Sequence, residues 1–194
     1  VSAAISAASA EFLGERWSFL DCPGSVEFMQ DTYSALKVAD VAVVVVDPEP
    51  ERAHAVQPLL HFLDENDIPH MIFINKVDHA HVPVQAVLES LQGASSERAY
   101  AYKPGESSDL IEIPESMQDA NNQARQGLLE ELSNFDDPLL EALLEDSVPP
   151  KEEVYAYLTK DLQENTVVPV FIGAAEQNAG VLRLMKALRH ETPE

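Results

Sequence analysis

The sequence has few positive charges for its length. Twelve Lys and Arg stand against 34 Asp and Glu among 194 residues, which gives a formal net charge of -22. Such a charge repels nucleic-acid phosphates unless the few cations are gathered on one face. The one visible grouping, Arg183, Lys186 and Arg189, has the spacing of the solvated side of a last helix. We therefore expect no direct nucleic-acid patch, and a basic protein partner would suit the charge better.

The sequence is also poor in cysteine and has no long apolar run. Cys22 is the only cysteine, so no disulfide can form within these residues. No run of 18 apolar residues and no signal peptide are present, which predicts no membrane contact and favours the cytoplasm. The histidines show no third ligand in register, so they predict surface positions and no metal site.

Two short apolar runs dominate what is present, at residues 42–46 and 71–74. Nearly unbroken β-branched and aromatic residues are typical of strands buried on both faces in a parallel sheet. Residues 16–21 and 167–172 predict two more strands. Because ligands bind at the carboxyl ends of such strands, we expect the four ends to meet at one edge. The polar or small residues at these ends are Asp21, Asp47, Asn75, Lys76, Asp78 and Gly173.

An acidic, helix-patterned stretch interrupts the alternation of strands and helices. Its three predicted helices precede the strand at 167–172, where the alternation resumes. The fold class predicted is α/β, with a mostly parallel sheet and an inserted acidic helical subdomain. The expected division is a first part at 1–110, the insertion at 111–166, and the last strand and helix at 167–194.

Two motifs carry chemistry, and they occur in order at strand ends. Asp21-Cys22-Pro23-Gly24 and Asn75-Lys76-Val77-Asp78 match the D-x-P-G and N-K-x-D elements of GTP-binding proteins. A carboxylate such as Asp78 can accept both the ring N–H and the exocyclic amine of guanine, a pair that adenine does not offer. Gly173-Ala174-Ala175 follows a later strand and adds a third element.

Beyond these motifs, residues 1–92 and 110–190 resemble the G domain of elongation factor G and its bacterial paralogues. The resemblance implies a P-loop NTPase-like fold, GTP or GDP with Mg²⁺ as cofactors, and GTP hydrolysis coupled to the ribosome. It also implies that the helical insertion corresponds to the family's extra subdomain, which engages the ribosomal stalk.

The resemblance further assigns roles to individual residues. Asn75 would hold the nucleotide loops together, and Lys76 would lay its aliphatic stem over the base. Asp21 would act on Mg²⁺ through water, and the Gly24 N–H would meet the γ-phosphate. The position that follows D-x-P-G is catalytic in the family, and here it is Ser25. The implied nucleotide-binding residues are Asp21, Gly24, Asn75, Lys76, Asp78, Gly173, Ala174 and Ala175.

The sequence departs from the family pattern at several places. No G-x-x-x-x-G-K-[ST] phosphate loop is present, Ser25 replaces a His, and Ala174 replaces a Ser. We therefore expect the chain as given to be inactive alone and the intact protein to hydrolyse GTP slowly. In this fold the strand leading to the phosphate loop lies between residues 16–21 and 41–47, so we also expect the sequence to be incomplete as a folding unit.

Two other interpretations fit parts of the sequence. A degenerate G domain could serve as a protein-interaction module without nucleotide turnover, and nucleotide titration would separate it from the first interpretation. A phosphorelay receiver would use Asp47 as phosphoacceptor and Lys76 as the later lysine. Receivers need an acidic pair after the first strand, whereas Asp21 stands alone before Cys22, so this interpretation is set aside.

Overall fold

The computed structural model describes residues 3–49, 55–79, 99–101, 109–111, 129, 150–164 and 166–192. Most of the predicted insertion at 111–166 lies outside the described residues. The strands are β1 Ser6–Phe12, β2 Glu15–Asp21, β3 Ala42–Val46, β4 His70–Ile74, β5 Ala99–Ala101, β6 Asp109–Ile111 and β7 Val170–Ile172. The α-helices are α1 Met29–Leu36, α2 Gln57–Glu65, α3 Lys151–Gln163 and α4 Val181–Glu191.

Three of the strands form a parallel sheet in the order β3-β4-β7. The register places Val44 opposite Ile72, and Ile72 opposite Val170. This confirms the predicted parallel pairing of the two apolar runs with the late strand. The carboxyl ends of all three strands therefore meet at one edge, where Asp47, residues 75–78 and residues 173–175 follow them.

The fourth predicted strand is placed differently. β2 pairs antiparallel with β1 in a two-stranded sheet of its own, with Ala8 opposite Phe19. The expectation that four strand ends share one sheet edge is therefore wrong for Asp21. The physical reason is that no described strand joins β2 to β3 by backbone hydrogen bonds, so only three strand ends are aligned by one sheet.

Apolar side chains cover both faces of the parallel sheet. Val44, Ile72 and Ile74 pack with Leu63 of α2 on one side. On the other side, Met71 packs with Leu162 of α3 and with Ala187 and Leu188 of α4. β4 is buried throughout, as its sequence predicts, but Val45 of β3 is 59% exposed. The prediction that β3 is buried on both faces is therefore wrong at Val45, which belongs to neither of these two apolar clusters, although Val43 on the same face packs against the second one.

The last helix is tied to the β1-β2 hairpin by one ion pair. Arg189 of α4 donates from Nε to Oε1 of Glu15 in β2 at 2.9 Å. Arg183 and Lys186 are exposed, as the predicted solvated face requires. None of the described helices is both long enough and apolar enough to span a bilayer.

Candidate functional site

Asn75 fastens the loop after β4 to the loop after β7. Its Oδ1 accepts a hydrogen bond from the backbone N–H of Ala175 at 2.8 Å. Two backbone bonds continue the connection: Gly173 N–H donates to Ile74, and Val77 N–H donates to Gly173 at 3.2 Å. The two loops are therefore joined as one unit, and Asn75 bridges them as its position in N-K-x-D suggests.

Gly173 is required by the close approach of these loops. A Cβ at this position would lie 2.6 Å from Cζ of Phe73 and would also collide with the carbonyl oxygen of Ala179. Immediately after it, Ala174 and Ala179 exchange two backbone hydrogen bonds at 3.1 Å each. This closed ladder fixes the path of residues 174–179 over the end of the sheet.

Lys76 adopts an unusual backbone conformation at the same edge. Its φ is 58°, in the left-handed region that residues with a Cβ rarely occupy. Its Nζ lies 3.1 Å from Oδ1 of Asp47, which follows β3. Strained backbone of this kind costs of order 1–3 kcal/mol and clusters at functional sites. The ion pair joins the end of β3 to the end of β4, which are neighbours in the sheet.

Two side chains contact the carboxylate of Asp78. Gln177 donates from Nε2 to Oδ2 of Asp78 at 2.6 Å, and Nε2 of His79 lies 3.3 Å from the same oxygen. The Asp78 side chain is 17% exposed. The short helical turn at Ala175–Gln177 brings Gln177 into place, because it starts directly after the ladder residue Ala174.

The D-x-P-G turn lies beyond β2 and is anchored separately. Pro23 is fully buried, and its carbonyl oxygen accepts a hydrogen bond from Oγ1 of the buried Thr32 at 3.1 Å. A Cβ at Gly24 would meet no protein atom within 4 Å, so the protein's own packing does not require glycine there. Ser25 caps the following helical turn through its backbone carbonyl only. The contacts that join the loops after β4 and β7 do not include Asp21, Gly24 or Ser25.

Cys22 sits inside this turn and has a protonated thiol. Burial raises the pKa of the Cys22 thiol, and the neighbouring Asp21 carboxylate raises this pKa further. Its Sγ donates a weak hydrogen bond to the carbonyl oxygen of Leu20 at 3.7 Å. A thiol held protonated is a poor nucleophile and a poor metal ligand.

No cluster of three His, Cys, Asp or Glu residues that could hold a metal ion occurs within the described ranges. Asp21 offers a single carboxylate at the end of β2. Mg²⁺ commonly keeps several water ligands and takes few from protein when a phosphate is present. If such an ion is bound, Asp21 is the carboxylate of this turn that could contribute to holding it.

Comparison with known proteins identifies the family of this chain. The model of the elongation factor Tu GTP binding domain matches residues 1–194. The chain belongs to this GTP-binding domain family. The expectation drawn from the two motifs is therefore confirmed at the level of the family.

Two curated relatives of this GTP-binding domain are an elongation factor G-like protein and an elongation factor G. An elongation factor G-like protein of Synechocystis sp. is 40% identical over 218 residues, a match that covers 100% of this chain and 33% of the relative. Elongation factor G of Fervidobacterium nodosum is 26% identical and matches 92% of this chain and 30% of its own length. The chain thus spans about a third of the length of these relatives.

A solved structure supports the fold of the GTP-binding domain. A crystal structure of a Thermus thermophilus protein superposes with a TM-score of 0.80 at 22% identity, covering 98% of this chain and 32% of that one. With the parallel sheet, this shows an α/β, P-loop NTPase-like fold.

Sequence reasoning misses the partners of the two charged motif residues. It places Asp47 at the sheet edge without a role, yet Asp47 pairs with Lys76. The adjacency of two parallel strands is the signal that could have found this pair. The contact of His79 with Asp78 is likewise absent from the sequence-based expectations. Gln177 carries no motif signal, because a lone Gln after a strand is too common to interpret.

Proposed function

We propose that this GTP-binding domain binds guanine nucleotides within a translational GTPase related to elongation factor G. The observation that carries the proposal is the bond between Asn75 and Ala175, which fastens two loops at the sheet edge around Asp78. In open α/β sheets this edge is where ligands bind. The alternative, a degenerate G domain that serves as a protein-interaction module without nucleotide turnover, would not require these two loops to be fastened around Asp78.

The base would be recognised by the fastened loops. Asp78 would accept the ring N–H and the exocyclic amine of guanine with its two oxygens. The stem of Lys76 would lie against the base, with its ammonium group held near Asp47. Gly173, Ala174 and Ala175 would contribute backbone groups from the second loop.

The phosphates and the metal ion would be bound by the D-x-P-G turn after β2. Asp21 would hold Mg²⁺ through a water molecule, and the Gly24 N–H would meet the γ-phosphate of GTP. The printed sequence contains no G-x-x-x-x-G-K-[ST] pattern, so we propose that these 194 residues alone bind nucleotide weakly. Nucleotide binding is therefore best measured on the complete protein.

The two elongation factor relatives support a proposal for the wider role. We propose a cytoplasmic protein that acts with the ribosome. The acidic residues at 111–166 would form an inserted subdomain between the parts at 1–110 and 167–194, and would engage the ribosomal stalk. Their negative charge would speed association with basic groups through electrostatic steering.

Asp78→Asn tests base recognition. Asn offers an N–H₂ group where the carboxylate offered an acceptor, so the variant should lose affinity for GDP by about 100-fold. It should gain affinity for xanthosine diphosphate, whose base has a carbonyl in place of the exocyclic amine. Isothermal titration of the complete protein measures both affinities.

Asp67→Asn is the matched control for this experiment. Asp67 is exposed and precedes β4, at the opposite edge of the sheet, and its left-handed φ of 51° suits Asn. This variant should bind GDP as the parent protein does. A parent protein that binds GDP no better than ADP would favour the interaction module, and unchanged GDP affinity in Asp78→Asn would refute the assigned base contact.

Ser25 bears on the rate of hydrolysis. A positioned acid or base is worth about 10²–10⁴ in rate, and the neutral hydroxyl of Ser25 supplies no such charge. We propose that the complete protein hydrolyses GTP slowly even when stimulated. Single-turnover hydrolysis on ribosomes should become faster in Ser25→His while GTP affinity stays the same. Equal rates in parent and variant would show that another group positions the water.

A further inference from the structure

Thr32 holds the peptide group that joins Pro23 to Gly24. Its Oγ1 donates a hydrogen bond to the carbonyl oxygen of Pro23 at 3.1 Å, and both residues are buried. A peptide group is planar and trans, so its carbonyl and its N–H point in opposite directions. The hydrogen bond to the carbonyl of Pro23 therefore also fixes the direction of the Gly24 N–H, which faces away from the Thr32 hydroxyl.

The packing around Gly24 leaves the orientation of this peptide group open. Glycine adopts a wide range of φ, and a Cβ at position 24 would meet no protein atom within 4 Å. The side chain of Ser25 adds no capping hydrogen bond to the helical turn that follows. The Thr32 hydroxyl thus selects one orientation among those that the turn permits.

The helix that carries Thr32 is a fixed support. Thr32 lies in α1, four residues before Leu36, so the two side chains share one face of the helix. Leu36 packs against the apolar cluster around Leu63, and Tyr33 stacks on Phe62 of α2 with ring centroids 4.1 Å apart. Because α1 is attached in this way to α2 and to the cluster on the sheet, the Thr32 hydroxyl has a defined place from which to hold the turn.

We infer that Thr32 is a positioning residue for the γ-phosphate, because its hydroxyl orients the Gly24 N–H that would donate to it. This role rests on the proposed function, in which the Gly24 N–H meets the γ-phosphate of GTP. GDP has no γ-phosphate and would not use this N–H. Thr32 therefore raises the affinity for GTP and leaves the affinity for GDP as it is, so it sets the preference of the domain between the two nucleotides.

The size of the effect follows from the hydrogen bond. Without the hydroxyl, only a fraction of the molecules present the N–H in the orientation that the phosphate needs, and the apparent dissociation constant rises by the inverse of that fraction. A hydrogen bond of the usual net strength corresponds to a factor of about threefold to tenfold. A carbonyl that accepts a hydrogen bond also polarises its peptide group, which strengthens the N–H as a donor.

Thr32→Val is the first test, because Val keeps the branched shape of the side chain and has no donor. In the complete protein we expect a non-hydrolysable GTP analogue to bind about threefold to tenfold more weakly, while the affinity for GDP changes by less than about twofold. Isothermal titration with each nucleotide gives the ratio of the two affinities. Ser34→Ala is the matched control in α1: the Ser34 hydroxyl donates to the carbonyl oxygen of Gln30 at 2.9 Å, so both affinities should stay unchanged.

A second pair of variants separates the hydroxyl from the shape of the side chain. Thr32→Ser keeps the donor and loses the methyl group, so its ratio of GTP-analogue to GDP affinity should equal that of the parent protein. Thr32→Ala differs from it by the hydroxyl alone and should lose the ratio as Thr32→Val does. Ala is also well tolerated in a helix, so this pair tests the inference even if Thr32→Val does not fold.

The remaining outcomes separate this inference from the proposed function. An equal loss of affinity for both nucleotides without the hydroxyl would show that Thr32 only stabilises the fold. The same ratio in Thr32→Ser and Thr32→Ala would show that the hydroxyl has no effect. Either result overturns the inference while the parent protein still prefers GDP over ADP, whereas a parent protein without that preference would overturn the proposed function itself.

Discussion

A Cβ atom at position 173 would lie 2.6 Å from the ring of Phe73, far inside the normal contact distance. Gly173 also carries the N–H that binds Ile74 and the carbonyl that binds Val77. The residue thus has to approach both β4 and the loop after it. Its lack of a side chain is a packing requirement, independent of any ligand.

Gly173→Ala should destabilise the fold by about 1–3 kcal/mol, the usual cost of forcing extra volume into a packed site. Urea unfolding followed by circular dichroism measures the change. Gly24→Ala is the control, because a Cβ there meets open space, and the free energy of unfolding should change by less than about 0.5 kcal/mol. Equal stability of Gly173→Ala and the parent protein would mean that the loop after β7 does not pack against Phe73.

At the scale of elements, α2 is held to the sheet by an apolar face. Leu63 is fully buried against β3 and β4, where it contacts the cluster that contains Val44, Ile72 and Ile74. The loop from α2 then returns through Ile68 to the start of β4. This packing helps to fix the position of β4 in the sheet, and residues 75–78 follow directly from its carboxyl end.

Leu63→Ala should lower the free energy of unfolding by about 2–5 kcal/mol, because it removes buried methyl groups and leaves a cavity. Leu182→Ala in α4 removes the same atoms from a side chain that is 42% exposed, and should cost clearly less. Thermal unfolding of both variants in parallel gives the comparison. Similar losses in the two variants would argue against the burial of α2 on the sheet.

The apolar runs are enough to predict β3, β4 and β7 and their parallel pairing, because strands buried in a sheet impose continuous apolar character. The same reasoning cannot place β2, whose sequence is compatible with a hairpin or with a central sheet. It also overestimates the burial of Val45, because burial depends on what lies beside a strand and periodicity reports only the strand itself.

The candidate site, like the fold, can be predicted only in part from the sequence. The N-K-x-D residues can be placed at a strand end from sequence, and the bond from Asn75 to Ala175 lies where two loops are expected to meet. The contacts of Lys76 with Asp47 and of Asp78 with Gln177 cannot be predicted in this way. They depend on the approach of side chains that are distant in sequence, which local pattern does not encode.

At the scale of the whole molecule, the last helix, α4, contacts both the β1-β2 hairpin and the parallel sheet. The formal net charge of the sequence is -22. The ion pair of Arg189 with Glu15 is one contact that ties α4 to the hairpin. An exposed pair of this kind is worth about 0–1 kcal/mol, so apolar contacts contribute most of the attachment. Trp17 of β2 supplies one such contact against the cluster around Met71.

Among the described strands, β3 lies at one end of the parallel sheet, and this position has a consequence for handling the protein. Wherever that edge is uncovered, its backbone groups offer a template on which a strand of another copy can pair. At low ionic strength the large negative charge keeps copies apart, and added salt screens this repulsion. Purified chains should therefore stay dispersed in dilute buffer and form oligomers as salt and concentration rise, which sedimentation velocity would detect.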